Sequence, residues 1–330
     1  MILALIAYSI LAAGLAGLTA HGAEATLRAA RRPGRVPWMV AILVAVVAPF
    51  VVPFIPEEGP LAVPVGFRDA GSIVVSPAEG LGGLASLDPF VAALWVLASA
   101  GLLGAVGVAG WRLQRWRATW RATRLQGTPV LVSGHIGPAV VGLWDGQIVL
   151  PEWALREESR TLGLLLEHER QHLAARDHRL LGVGIAALVL MPWNLALWWI
   201  VSRLRLAAEI DCDARVLAGT RSDVVSYGSL LIAVGQRLAS APAVGVAFSR
   251  PASNLEHRIR ALASEGSSQR VGRGIGWLGL TAVSFGLLCL APHPVIEVCR
   301  ELVPPTAPTS LVLGVVPHAP TVIEVLDLPN

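Results

Sequence analysis

Residues 168 to 172 of this chain read His-Glu-Arg-Gln-His, a pattern whose residue types and spacing can support metal-dependent hydrolysis. On a helix, positions four apart share a face, so His168 and His172 present two imidazoles one turn apart, with Glu169 beside them. Imidazoles in this arrangement are typical zinc ligands, and zinc with an open coordination position lowers the pKa of water to near neutrality. The adjacent glutamate can accept the proton that this water releases. The motif therefore predicts a one-zinc (Zn2+) metallopeptidase site with Glu169 as general base.

A solvated helix with two unrelated histidines would show the same pattern, so a third ligand has to be found elsewhere in the chain. Glu209 and Asp213 are four residues apart and share a face if their segment is helical. One carboxylate can complete a His-His-Glu ligand set, and the other can accept the ring N–H of a ligand histidine. We predict Glu209 as the third ligand and Asp213 as the orienting partner. The alternative is a solvated acidic helix face.

The composition of the chain is that of an integral membrane protein. Its 330 residues are 54% hydrophobic and only 15% charged, with a mean hydropathy of +0.61, which excludes an ordinary soluble domain of this size. Four apolar stretches reach or approach the length needed to cross a bilayer. These predicted spans are 2–18, 36–55, 90–110 and 275–291.

The distribution of arginines predicts the orientation of these spans. Arginines cluster after the first and third spans and before the last, whereas the loop after the second span is mainly acidic. By the positive-inside rule, both termini lie outside the plasma membrane and residues 111–274 are cytoplasmic. The predicted organisation is three spans in 1–110 with an outer loop at 56–89, the cytoplasmic domain, a fourth span at 275–292 and a Pro-rich tail at 293–330. Topology accounts for the arginines, so we expect no direct contact with nucleic acid.

The cytoplasmic domain is predicted to combine a small sheet with the motif helix. Short stretches rich in β-branched residues at 129–133, 139–144 and 147–150 indicate strands, and Asp145-Gly146 indicates a tight turn. The motif helix is expected at about 157–176. In zinc peptidases such a sheet can offer an edge to an extended substrate, although a purely structural hairpin is an equal alternative. The predicted fold class is thus a mostly α membrane protein with an α+β zincin-type domain.

A further apolar stretch, 180–201, is long enough to cross the membrane once. A crossing would place four following arginines on the wrong side, and Pro192, Trp193 and Asn194 interrupt the stretch at its midpoint. We therefore predict a re-entrant hairpin of two short helices that returns the chain to the cytoplasmic face. A single kinked span is the alternative.

Taken in order, these pieces resemble the membrane-bound antirepressor zinc metallopeptidases of the BlaR and MecR type, which control antibiotic-resistance genes. The matching pieces are 137–151, the motif with Arg176-Asp177, the hairpin with Trp193-Asn194, Glu209 with Cys212-Asp213, and 254–259. The resemblance implies that the two motif histidines and Glu209 bind zinc and that Glu169 is the base. It also implies that Asp213 orients a ligand and that Asp177 provides a supporting hydrogen bond.

The sequence departs from that family in two places. Pro192 precedes Trp193-Asn194, whereas the family usually has Asn before Pro, which changes the expected turn geometry. Sensor members carry an extracellular penicillin-binding domain, but the 38 residues of 293–330 are too few for such a fold. We therefore expect no direct β-lactam acylation. A signal would be read by the tail, by the outer loop or by a partner protein.

The leading functional prediction is a cytoplasm-facing zinc endopeptidase, coupled to a membrane signal and directed at a protein substrate. The family resemblance suggests a winged-helix repressor or the peptidase itself as that substrate. Arg205 and Tyr227 are candidates for stabilising the oxyanion. The alternatives are a constitutive quality-control peptidase and a non-catalytic signalling scaffold with a structural metal. Membrane lipid is an expected partner, and homo-oligomerisation is possible in principle. The sequence does not identify the substrate or the signal.

Overall fold

The computed structural model describes residues 2–51, 86–134, 136–219, 224–240 and 251–263, together with 279, 282 and 283. These residues form a mostly helical protein with one small sheet. The helices are α1 (Ile2–Ala29), α2 (Val36–Val51), α3 (Asp88–Arg117), α4 (Ser159–Ala174), α5 (Asp177–Leu190), α6 (Leu195–Gly219), α7 (Val224–Ser240) and α8 (Pro251–Ala263). A short 3-10 helix, Glu152–Arg156, precedes α4.

Two of the described helices, α1 and α3, are long and apolar enough to cross a membrane, and α2 belongs to a shorter apolar helix, Arg35–Val51. They coincide with the first three predicted spans, although α1 and α3 extend well beyond the predicted ends. The end of the second predicted span and almost all of the fourth lie outside the described residues, as do most of the outer loop and the tail. The apolar helices indicate a membrane protein, while four spans and their orientation stay predictions.

The sheet has four strands, β1 (Arg121–Leu125), β2 (Thr128–Ser133), β3 (Ala139–Val141) and β4 (Gln147–Pro151), in the spatial order β1-β2-β4-β3. The pairs β1–β2 and β3–β4 are antiparallel and β2–β4 is parallel, so the sheet is mixed. The last three strands match the predicted ones. Strand β1 was not predicted, because its arginines read as part of the charge cluster after a span.

Helix α4 packs on this sheet and starts within two residues of its predicted position. Its Leu165 and Leu166 are buried against Val130, Ile148 and Leu150 of β2 and β4. Large aliphatic side chains on one helix face meeting the inward face of a sheet are the usual way in which an α+β domain forms its core. The opposite side of α4 is therefore available to carry the polar motif.

Residues 180–201 form two arms of a helical hairpin. Helix α5 ends at Leu190, the chain turns at 191–194, and α6 returns antiparallel, with Gly184 packed directly against Val201. The second arm is longer than the short helix we expected, because α6 continues without a break for 25 residues. A single helix thus connects the apolar turn with Glu209 and Asp213. Insertion of the hairpin into the membrane stays a prediction.

Helices α1 and α2 pack against this hairpin. Trp38 and Ile42 of α2 and Ile200 of α6 belong to one buried apolar cluster. A Cβ atom at Gly17 of α1 would overlap the ring of Trp199, so glycine permits this close approach of the helices. The hairpin and the first two helices consequently share one core.

Asn194 fixes the turn of the hairpin, and its loss should destabilise the protein. Its side chain is fully buried, accepts a hydrogen bond from the backbone N–H of Leu197 (3.1 Å) and donates to the carbonyl of Ser9 (3.1 Å). We predict that Asn194→Ala lowers the free energy of unfolding by about 1–2 kcal/mol because a helix cap is lost. Thermal unfolding in detergent measures this, with exposed Ser202→Ala on the same helix as the control. Equal unfolding temperatures of the two variants would contradict it.

Candidate metal centre

Helix α4 places the two motif histidines at its end, with their imidazole rings in contact and nearly perpendicular. The Nε2 atoms of His168 and His172 are 3.1 Å apart, and the ring centroids are 4.7 Å apart. Both side chains are largely buried, at 12% and 14% exposure. Helical spacing of four residues thus produces the paired imidazoles that the sequence predicts.

Glu209 of α6 completes a triangle of potential ligand atoms. Its Oε2 atom lies 3.6 Å from His168 Nε2 and 3.7 Å from His172 Nε2. Ligand atoms bound to one tetrahedral zinc ion at 2.0–2.1 Å lie about 3.4 Å from one another. The three separations therefore have the size that a zinc site requires.

The hydrogen-bond partners of the two rings direct their Nε2 lone pairs into this triangle. Asp177 Oδ2 accepts from Nδ1 of His172 at 2.8 Å. The hydroxyl of Tyr227 donates its proton to Asp213 Oδ1 at 2.8 Å and so accepts from Nδ1 of His168 at 2.9 Å. With both protons on Nδ1, two Nε2 lone pairs and a carboxylate oxygen face one another, and a cation between them removes their repulsion. The donor set fits a metal ion.

Cys212 is a second candidate for the third ligand. Suitable atoms of His168, His172 and Cys212 all lie within 4.8 Å of one another, and the cysteine is buried. Its Sγ atom, however, contacts Nδ1 and the carbonyl oxygen of His168, at 3.4 Å and 3.3 Å. The thiol thus lies at the ring nitrogen that faces away from Glu209.

Asp177 reaches His172 because the chain reverses sharply between α4 and α5. Arg176 adopts a left-handed backbone conformation (φ 55°), and Asp177 follows as the first residue of α5. Its carboxylate is 4% exposed and also pairs with Arg35 Nη1 at 2.6 Å. The turn therefore allows Asp177, five residues after His172, to form a hydrogen bond with it.

Asp213 contacts His168 through Tyr227 rather than directly. Its Oδ1 atom is 3.6 Å from His168 Nδ1, and the tyrosine hydroxyl bonds to both groups. Arg258 of α8 binds Asp213 in a bidentate manner, at 2.7 Å and 2.8 Å, and reaches Glu209 at 3.0 Å. Helices α7 and α8 consequently hold the carboxylates of α6 in place.

The charges around the histidines favour a cation at this position. Burial alone would lower the pKa of His168, but Cys212 and Glu209 outweigh it and raise this pKa to about 10. Against the same effect of burial, Asp177, Cys212 and Glu209 raise the pKa of His172. Burial would raise the pKa of Glu209, but Arg258 holds it well below its ordinary value, so this carboxylate is ionised. An environment that attracts protons to the two imidazoles also attracts a metal ion.

Glu169 lines a cavity of about 440 Å³ beside the triangle. Its side chain is buried, and this burial raises its pKa against the opposing effect of the two histidines. Arg205 lines the same cavity one turn before Glu209 on α6. A buried carboxylate with an elevated pKa next to a metal position has the properties of a general base.

All of the predicted site residues lie in or next to this site, but several of their neighbours were not predicted. Arg35, Arg215 and Arg258 come from three different helices or loops, and Cys212 was noted only as part of a segment that resembles the family. Arg258 belongs to a segment noted for its family resemblance, which was the one available signal. Nothing in the sequence near Arg35 indicates its contact, because the ion pair joins positions 142 residues apart.

Residues 123–262 match the family model described as BlaR1 peptidase M56. This segment is similar to the M56 peptidases. The match confirms the resemblance inferred from the sequence and supports a membrane-associated metallopeptidase. Every residue predicted for the site lies within the matched M56 segment, whereas Arg35 precedes it. A comparison with curated proteins finds no match to the chain.

Tyr227 should contribute to metal affinity without touching the metal. We predict that Tyr227→Phe weakens zinc binding by about 10-fold, because His168 loses the partner that fixes its tautomer and orientation. Competition with a fluorescent zinc chelator measures this affinity. The chain contains only one other tyrosine, Tyr8 of α1, so Tyr8→Phe is a chemically identical control. Equal affinities of the two variants would contradict a supporting role for the Tyr227 hydroxyl.

Proposed function

We propose that this protein is a membrane-embedded zinc metalloendopeptidase that hydrolyses peptide bonds on the cytoplasmic side of the membrane. The observation that carries the proposal is the convergence of two Nε2 lone pairs and a carboxylate oxygen beside a buried glutamate in an open cavity. His168, His172 and Glu209 would hold the zinc ion. Three protein ligands leave a coordination position open, as in catalytic rather than structural zinc sites.

When bound, zinc supplies a Lewis acid that polarises a carbonyl group and acidifies water. The chain's own residues supply proton transfer and positioning. Glu169, next to His168 and lining the cavity, accepts the proton of the attacking water and passes it to the departing amine. Burial raises the pKa of Glu169, and a carboxylate with a raised pKa holds the accepted proton more firmly until it is passed to the amine.

Arg205 is the better of the two candidates for stabilising the oxyanion. It lies in the cavity wall on the same face of α6 as Glu209, so its guanidinium can approach a carbonyl oxygen presented to the metal. The hydroxyl of Tyr227 is instead engaged by His168 and Asp213. We therefore assign Tyr227 to the support of His168 and the oxyanion role to Arg205.

The substrate is proposed to bind as an extended chain beside β3. Among the described strands, β3 has a single neighbour, β4, so one of its backbone edges faces away from the sheet. Pro138, Ala139 and Val140 line the cavity that contains Glu169. A peptide added at this edge gains backbone hydrogen bonds and carries its scissile bond past the motif helix.

The remaining cavity wall predicts a preference for an apolar side chain next to the cleaved bond. Leucines of α4, α7 and α8 line this part, including Leu165, Leu231 and Leu255. An apolar side chain bound there is removed from contact with water, which favours binding by about 25 cal/mol per Å² of buried surface. An unfolded or locally opened protein segment offers such a side chain together with a free backbone.

We further propose that this proteolysis is regulatory and coupled to a membrane signal, with a transcriptional repressor or the peptidase itself as substrate. Support comes from the M56 match and from the packing of α1 and α2 on the helices of the site. The cytoplasmic orientation is supported by the arginines that follow α1 and end α3.

The ligand set is tested by comparing two variants. We predict that Glu209→Ala loses its zinc, because only two imidazoles remain at the triangle. Cys212→Ser should retain zinc, since its side chain faces Nδ1 of His168. Metal analysis of the purified proteins measures both. If Glu209→Ala retains zinc and Cys212→Ser loses it, the third zinc ligand is Cys212 and not Glu209.

The catalytic role is tested at Glu169. We predict that Glu169→Gln retains zinc but cleaves fluorescently labelled casein roughly 10²–10⁴-fold more slowly, because the general base is lost. Glu167→Gln is the matched control, because Glu167 lies on the same helix and bonds to Gln171 instead of facing the cavity. A Glu169→Gln protein that binds zinc and cleaves as fast as wild type would overturn the peptidase assignment. If wild-type protein binds zinc and cleaves nothing, the site is a structural scaffold.

A further inference from the structure

The loop between α1 and α2 sends one side chain into the candidate metal centre. Arg35 Nη1 lies 2.6 Å from Asp177 Oδ1, and Asp177 Oδ2 accepts from His172 Nδ1 at 2.8 Å. The arginine side chain is 18% exposed and the carboxylate 4%. A continuous chain of charge-assisted hydrogen bonds therefore joins the N-terminal helices to a proposed zinc ligand.

A second carboxylate binds the same loop through its backbone. Asp211 accepts hydrogen bonds from the backbone N–H groups of Gly34, at 2.9 Å, and Arg35, at 3.1 Å. It is buried on α6, two residues beyond Glu209. These N–H groups immediately precede α2, so the carboxylate caps the start of that helix. The helix that carries Glu209 thereby sets the position from which Arg35 reaches Asp177.

We propose that Arg35 is a positioning residue for His172 and that the α1–α2 loop is therefore part of the metal centre. The inference rests on the proposed function, since it assumes that His172 binds zinc. Arg35 acts through Asp177: it holds Oδ1 and so leaves Oδ2 directed at the histidine. Partners of this kind fix the tautomer and orientation of a ligand imidazole.

Arg215 cannot take over this role. Its Nη2 atom is 3.6 Å from Asp177 Oδ2, the same oxygen that accepts from His172, while its Nε atom donates to Gln171 at 3.2 Å. Without Arg35, the buried carboxylate of Asp177 would turn towards Arg215 and its bond to His172 would weaken. Loss of Arg35 should therefore lower metal affinity.

This arrangement gives the N-terminal helices a direct effect on the site. The M56 match begins at residue 123, so Arg35 lies outside the matched segment although it contacts a partner of the motif. A shift of α1 and α2 relative to α6 would displace Arg35 from Asp177. Metal affinity then depends on the position of two apolar helices that are predicted to cross the membrane.

The test measures zinc affinity of the full chain in detergent by chelator competition. We expect Arg35→Gln to bind zinc about 10-fold more weakly than wild type. Arg32→Gln, an exposed change in the same loop, should bind zinc as wild type does. Arg35→Lys keeps the charge but not the planar fork of donors, and should restore part of the affinity. Unchanged affinity in Arg35→Gln overturns the inference.

A double-mutant cycle separates this role from general destabilisation. If Arg35 acts through Asp177, then Arg35→Gln combined with Asp177→Asn binds zinc no more weakly than Asp177→Asn alone. Additive losses would overturn the inference. If Arg35→Gln does not fold, Arg35→Lys replaces it in the affinity measurement and in the double-mutant cycle. Zinc affinity of Arg35→Lys equal to that of wild type would then overturn the inference. Wild-type protein that binds no zinc would instead refute the proposed function itself.

Discussion

The structure depends on one electrostatic constraint: two imidazole lone pairs and a carboxylate oxygen must be held 3.1–3.7 Å apart in a buried site. Such groups repel one another without a cation, so every neighbour has to prevent them from turning away. Asp177 and Tyr227 fix the imidazole tautomers, and Arg258 neutralises and holds the carboxylates. Most buried polar contacts of the site serve this arrangement.

Helix α6 connects this site with the apolar cluster formed by α1, α2 and the hairpin. Its first half packs with α1 and α2 around Trp38 and Ile200, and its second half presents Glu209 and Asp213 to the motif helix. An uninterrupted helix transmits a displacement along its whole length, because its backbone hydrogen bonds leave few soft torsions. Proposed signal coupling needs such a rigid connection between membrane helices and a hydrolytic site.

The local elements of the fold could be predicted well from the sequence. The motif helix, three of the four strands and the reversal at 191–194 follow from hydrophobic periodicity, β-branched runs and turn residues, which are short-range signals. Strand β1 was missed because its arginines suggested membrane topology instead of an exposed edge. The length of α6 was missed because Arg203 and Arg205 read as the end of an apolar hairpin, whereas a helix needs only continuous backbone bonding.

By itself, the sequence determined the chemistry: histidines four residues apart with an adjacent glutamate, carboxylates four apart further on, and apolar segments that indicate a membrane. It could also place these groups on helices, since helical spacing is a local property. Only the tertiary structure decided which side chain holds each predicted metal ligand in place. Tyr227 lies between Asp213 and His168, and Arg35 reaches Asp177, because helices distant in sequence pack around one buried charge cluster. Spacing along the chain carries no record of such contacts, which depend on packing between elements.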